Sequence, residues 1–245
     1  MTASERLGAS TAISDRRLAA LPLLLSVVAG LTDVTTFVLL HGVFSAHITG
    51  NLVVLAADIA AGRPMGLTGL LAIPCFVVTA AVVTAVTTRS TRPASDWAGP
   101  LLIVQAVLLT AAAAVGIGCT VSARPDSAVG VVTGLLAVAA MAVQNALLHV
   151  VFAHSPTTAV MTGNVVGATV AGVRLLVRRT TPVPDPDRDA WRRTWPLIVG
   201  FLLACLVGGL ACYAVADRAA ALPMLAALAV VVFFVARPTR VAPRR

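Results

Sequence analysis

The chain has 245 residues, 58% of them apolar and 11% charged, with a mean hydropathy of +0.94. Soluble domains run near 45–50% apolar and about 25% charged, so a soluble globular enzyme, a disordered chain and a secreted disulfide scaffold are excluded. The formal charge is +8 and all 18 basic residues are arginine. They lie in short segments between apolar runs and form no contiguous basic face, so they report orientation in a lipid bilayer rather than nucleic-acid binding. The expected fold class is all-α, a polytopic transmembrane helix bundle.

A spanning helix needs about 20 mostly apolar residues. Six runs qualify: 18–40, 67–88, 98–120, 128–152, 195–216 and 219–236. They are continuous and rich in Ala and Leu, which favours helix over the alternating strands of about ten residues found in barrels. Arg16-Arg17 and the apolar run after them resemble a secretory or twin-Arg signal. The run continues past Asp33 to Leu40, so it reads as an uncleaved first span. Two further segments, 43–61 and 159–177, are apolar but carry polar residues, and follow breaks at His41-Gly42 and His154-Ser155-Pro156. The segment 178–193 has three prolines, several acids and several arginines and reads as a cytoplasmic loop. Trp191 and Trp195 fit an interfacial belt or ordinary loop-to-helix packing. A tight Asp217-Arg218 turn separates the last two runs. Cys75, Cys119, Cys205 and Cys212 have no zinc-like spacing and read as isolated buried thiols. No cofactor or metal site is expected.

The interrupted segments share a tripeptide, Thr49-Gly50-Asn51 and Thr162-Gly163-Asn164, 113 residues apart. Each follows a polar residue inside an apolar helix by 16 to 17 residues: Asp33 in the first case, Asn145 beside Gln144 in the second. Recurrence in the same architectural slot implies an internal duplication, with halves 18–120 and 128–236. Broken helices in corresponding positions of two halves point to a transporter's binding site. Hydrocarbon cannot satisfy the freed backbone, which must face protein or a water-filled cavity. Thr and Asn can cap such a helix start, and Gly allows close approach. The competing reading is a small-residue packing patch.

An acid inside a span is a functional candidate by default, and burial would bring Asp33, in the middle of the first span, toward proton exchange near neutrality. The alternative is a packing role with Thr32, Thr35 or Thr36. His47, Asn51 and Asp58 are spaced as one helical stripe, suited to a proton relay, although Asp58 precedes Gly62-Arg63 and can equally be solvated. In the second half Asn145 stands for Asp33 and Ala171 for Asp58, so the ionisable chemistry is asymmetric. His41, His149 and His154 read as interfacial.

The run AGLTDVTTFVLLHGVFSAHITGNLVVLA, with Gln144-Asn145 and AVMTGNVVG, resembles the YoaK-like family of bacterial inner-membrane proteins over about 20–236. The resemblance implies an integral membrane protein of about six helices and no established activity.

If the Thr-Gly-Asn segments do not cross, there are six spans, inverted halves and two re-entrant segments. Fifteen of the eighteen arginines then lie inside, with Arg63, Arg124 and Arg218 outside. If both cross, there are eight spans and a parallel repeat, and fifteen again lie inside. Both schemes place the termini in the cytoplasm. Polar residues at the start of each segment favour the first. The expected function is a carrier or channel for an unidentified small solute or ion, with a central polar site of Asp33 and the two Thr-Gly-Asn segments. A membrane scaffold or accessory subunit, open to homo-oligomer formation, is the alternative. A membrane-embedded enzyme is disfavoured by the absence of any nucleophile–base motif.

Overall fold

A computed structural model describes residues 3–152, 161–177 and 185–235, with side chains from Leu18 onward. His154, Ser155 and Pro156 therefore lie outside the described residues, as do the first part of the 178–193 segment and the C-terminal arginines. The described elements are helices α1 (Ala3–Leu39), α2 (Ile48–Ala60), α3 (Leu67–Arg89), α4 (Ala98–Gly118), α5 (Ala128–Val151), α6 (Met161–Val177), α7 (Pro186–Val215) and α8 (Ala221–Val235), with short 3-10 turns between some of them. Among the described residues, five stretches are long and apolar enough to cross a membrane; the last, Pro186–Phe234, comprises α7 and α8 joined by a short turn, with α8 packed on α4 and α1. The protein is a helical, multi-pass membrane protein.

Helix starts and stops follow local chemistry. α1 ends where His41 and Gly42 adopt positive φ (52° and 102°), reversing the chain. α5 begins at Ser127, whose hydroxyl accepts from the Gly130 N–H. α7 begins nine residues earlier than the apolar run, so 186–193 is helix rather than loop. The physical reason is a complete start signal: Asp185 accepts from the Asp187 N–H at 3.1 Å, Pro186 occupies the first turn, and Asp187 and Asp189 follow.

Small residues let α1 and α7 pack closely. A methyl on Gly30 would lie 2.6 Å from the Phe201 carbonyl oxygen, and one on Gly208 would lie 2.4 Å from Val34. Gly200, Ala204 and Gly208 recur every four residues along α7, so one face of the helix presents little bulk to α1. The pairings repeat between the halves: α1 packs on α7 and α5 on α3; α2 on α3 and α6 on α7; α4 on α5 and α8 on α1.

Contacts also fix directions. The Leu25 carbonyl meets Gln144, while Leu40 meets Gly134, so α1 and α5 run antiparallel. Leu40, after α1, and Thr68, at the start of α3, both reach Gly134. The intervening α2 therefore leaves and returns at one end of the bundle. Its 13 residues reach about 20 Å, short of the roughly 30 Å hydrocarbon core. At the other end, Gln144 near the end of α5 and Gly200 of α7 lie beside Leu25 and Leu23 of α1, so α6 also leaves and returns at one end. The links carrying Arg63, Arg124 and Arg218 converge: Gly66 approaches Asp126, and Ser122 bonds Asp217. Leu21, Leu25, Leu102, Met141, Leu147 and Leu148 form the fully buried core of the opposite half.

Candidate functional site

After the reversal at His41-Gly42 the chain runs back along α1, bringing residues 45–47 level with Asp33. Asp33 sits six residues from the end of α1 rather than mid-span, because the helix stops at Leu39. It is 3% exposed. Its Oδ1 accepts from the Ser45 N–H (2.8 Å), the Ala46 N–H (2.6 Å) and the Ser45 hydroxyl (3.1 Å). Its Oδ2 pairs with Nδ1 of His47. A carboxylate accepting several donors is the usual way such a group survives burial. The Thr32, Thr35 and Thr36 hydroxyls instead bond carbonyls of their own helix. The His47 ring meets Phe201 of α7 edge-on at 5.3 Å. Its hydrogen bond to Asp33 raises the imidazole pKa above the ordinary 6.5; burial opposes this and the Asp33 charge adds to it.

The first Thr-Gly-Asn segment completes the seat. Asn51 is 2% exposed; its Oδ1 accepts from the Phe44 N–H and its Nδ2 donates to the Phe44 carbonyl, both at 2.8 Å. A methyl on Gly50 would lie 2.7 Å from the Phe44 ring, so glycine is required for this approach. Thr49 is exposed, and α2 starts at His47 without a side-chain cap. The expected Thr or Asn cap is thus not formed, because Asn51 is committed to the loop. Nor does the stripe of His47, Asn51 and Asp58 form. His47 precedes the helix and turns to Asp33, whereas Asp58 pairs with the exposed Arg63 at 2.7 Å.

The second-half residues lie elsewhere. Gln144 is fully buried; its Oε1 accepts from Gln105 Nε2 at 2.7 Å and its Nε2 donates to the Leu25 carbonyl at 3.0 Å. Asn145 donates to Met141 O at 2.9 Å, while its buried Oδ1 has no partner among the described residues. Thr162 and Gly163 are exposed and Asn164 is buried on α6. Because α6 joins the opposite end of the bundle, the two Thr-Gly-Asn segments do not meet in one central site. His41 is exposed and His149 faces the Asn145 carbonyl. Gln105 stands outside the candidate residues read from sequence, and Asp217 enters there only as part of a turn. Gln105 carried the same signal as Asn145, a polar residue inside an apolar run. Asp217 accepts from the Ser122 N–H and hydroxyl at 2.9 and 2.7 Å, fastening the α7–α8 turn to the α4–α5 link.

Between α1, α4, α5 and α8 lies a cavity of about 30 Å3. Thr32, Thr35, Thr36 and Thr133 are among its lining residues, and the wall is predominantly apolar. Leu40 forms part of its wall, and the Thr36 hydroxyl lies 3.4 Å from that of Ser45. The cavity thus adjoins the loop that Asp33 holds.

The family profile described as "Protein of unknown function (DUF1275)" matches residues 21–235. The chain belongs to the DUF1275 family. This agrees with the resemblance carried by the HITGN and MTGN runs, and the matched region contains every helix from the spanning part of α1 to α8. Comparison of this DUF1275 chain with curated proteins and with solved structures found no match in either.

Proposed function

We propose that the protein is a small-solute carrier or channel with six spans, two inverted halves and re-entrant α2 and α6 segments. Both termini and the arginine-rich segments would face the cytoplasm of a bacterial inner membrane. The antiparallel course of α1 and α5 supports inverted rather than parallel halves. The convergence of the Arg63, Arg124 and Arg218 links supports six spans, since eight would put Arg63 and Arg124 at the end opposite Arg218. The observation that carries the reading is the loop 40–47, latched by Asp33 and His47 and bordering the cavity between the central helices. A titratable histidine on a loop beside a cavity, held by a carboxylate from α1, suits a proton-sensitive outer gate. The reading assigns no bond-making chemistry to the chain.

A second reading, a membrane scaffold, draws on the full satisfaction of Asp33 and Asn51, which makes a structural clamp of them. Flux measurements separate the two. The purified protein in liposomes holding a pH-sensitive dye is challenged with small solutes one at a time. A carrier accelerates at least one solute over protein-free vesicles, and Asp33→Asn removes any accompanying proton movement. A folded protein that accelerates none is a scaffold.

A further inference from the structure

The cavity's chemistry narrows what it can hold. A water needs about 10–15 Å3 on this measure, so about 30 Å3 admits a solute the size of two or three waters. Each lining hydroxyl has spent its proton on its own helix: Thr32 on Val28 O (2.6 Å), Thr35 on Leu31 O (2.8 Å), Thr36 on Thr32 O (2.9 Å) and Thr133 on Val129 O (2.9 Å). What the hydroxyls still offer is lone pairs. Among the described residues no ionisable side chain lines the cavity, and the buried Asp33 directs both oxygens to the loop. An ion would enter unpaired, at high desolvation cost. A neutral molecule pays far less to enter this mostly apolar wall, and an N–H or O–H donor on it can meet the lone pairs that the threonines leave open.

The floor is equally specific. Gln105, one helical turn from the lining residue Leu109, bridges to Gln144, and Gln144 to the Leu25 carbonyl. Beyond this bridge the bundle is filled by the buried Leu21, Leu102, Leu147 and Leu148. The same four helices that are hollow at one end are therefore closed at the other.

We propose that the threonine-lined cavity is a binding site for a small uncharged solute bearing hydrogen-bond donors, and that the Gln105–Gln144 bridge is its inner seal. The proposal rests on the carrier reading and adds the class of solute. Urea, guanidinium and nitrate test it, being planar molecules of similar size and different charge. The full chain in liposomes is mixed with each in a stopped-flow light-scattering experiment. Urea is expected to enter about tenfold faster than in protein-free vesicles, a difference well resolved as a rate, with neither ion accelerated. Ala137→Leu, which fills the cavity, should return urea entry to the protein-free rate. Thr35→Val keeps the volume and removes an acceptor, so it guards against a filled variant that fails to fold; it too should slow urea. Gln105→Ala should speed it. Wild-type urea rates in folded Ala137→Leu and Thr35→Val proteins overturn the site and leave a carrier that works elsewhere. Acceleration of an ion instead of urea overturns the solute class alone. No acceleration of any of the three overturns the site and its solute class, while the carrier reading stands or falls on the wider panel of solutes.

Discussion

Asp33 and Asn51 hold one loop by different means. The carboxylate gathers three donors from Ser45 and Ala46 and pairs with His47; the amide clasps both backbone groups of Phe44. Both residues were legible in the sequence, because a polar side chain inside an apolar run must find a partner or a function. Their partners were not, since Ser45 and Phe44 have ordinary side chains and contribute mainly backbone groups, which carry no sequence signal. The pair Asp33–His47 makes stability depend on pH. The carboxylate raises the imidazole pKa above 6.5, so its stabilising effect is complete below the unfolded value and fades as pH rises through the raised one. The thermal stability of the wild type in detergent should exceed that of His47→Gln at about pH 6, and the gap should close as the pH is raised. A gap that is constant with pH would mean that His47 acts through packing against Phe201 alone.

At the scale of elements, hydropathy located both ends of α3, α4, α5 and α8 to within two residues, whereas α1 and α7 begin well before their apolar runs; the two interrupted segments also form short helices, α2 and α6. The 178–193 segment reads as a loop because proline ordinarily breaks a helix, yet its second part is helical. At the first turn proline's missing N–H costs nothing and its fixed φ suits a helix, so Asp185-Pro186 starts α7. Glycine roles divide in the same way, by what lies opposite. Gly30 faces the Phe201 carbonyl across the α1–α7 contact, whereas Gly167 on α6 has nothing within 4 Å of an added methyl. Gly30→Ala should therefore destabilise by about 1–3 kcal/mol, the usual cost of overpacking. Gly167→Ala should be neutral or stabilising by up to about 1 kcal/mol, through helix propensity. Unfolding of both variants in mixed micelles measures the difference; equal effects would mean that the α1–α7 contact relaxes freely.

For the whole molecule, composition and charge fixed the class but left six and eight spans tied, since both schemes place fifteen of the eighteen arginines inside. Charge counts cannot separate them because they do not know which links are neighbours. The fold supplies that knowledge: Gly66 approaches Asp126, Ser122 bonds Asp217, and Leu40 and Thr68 share Gly134. These contacts gather the links after α2, α4 and α7 at one end, whatever lies outside. Cysteine placed singly at Arg63, Arg92, Arg124 and Arg218, in a chain lacking its four native thiols, reads the arrangement directly. A membrane-impermeant maleimide applied to intact cells should label positions 63, 124 and 218 and spare 92. Permeabilised cells should then label 92 as well, showing that its thiol is reactive and had been shielded by the membrane. Labelling at 92 and 218 without 63 or 124 would require eight spans and a parallel repeat. It would also separate links that the fold brings within a few ångströms, so the bundle itself, and with it the cavity between its central helices, would have to be rebuilt.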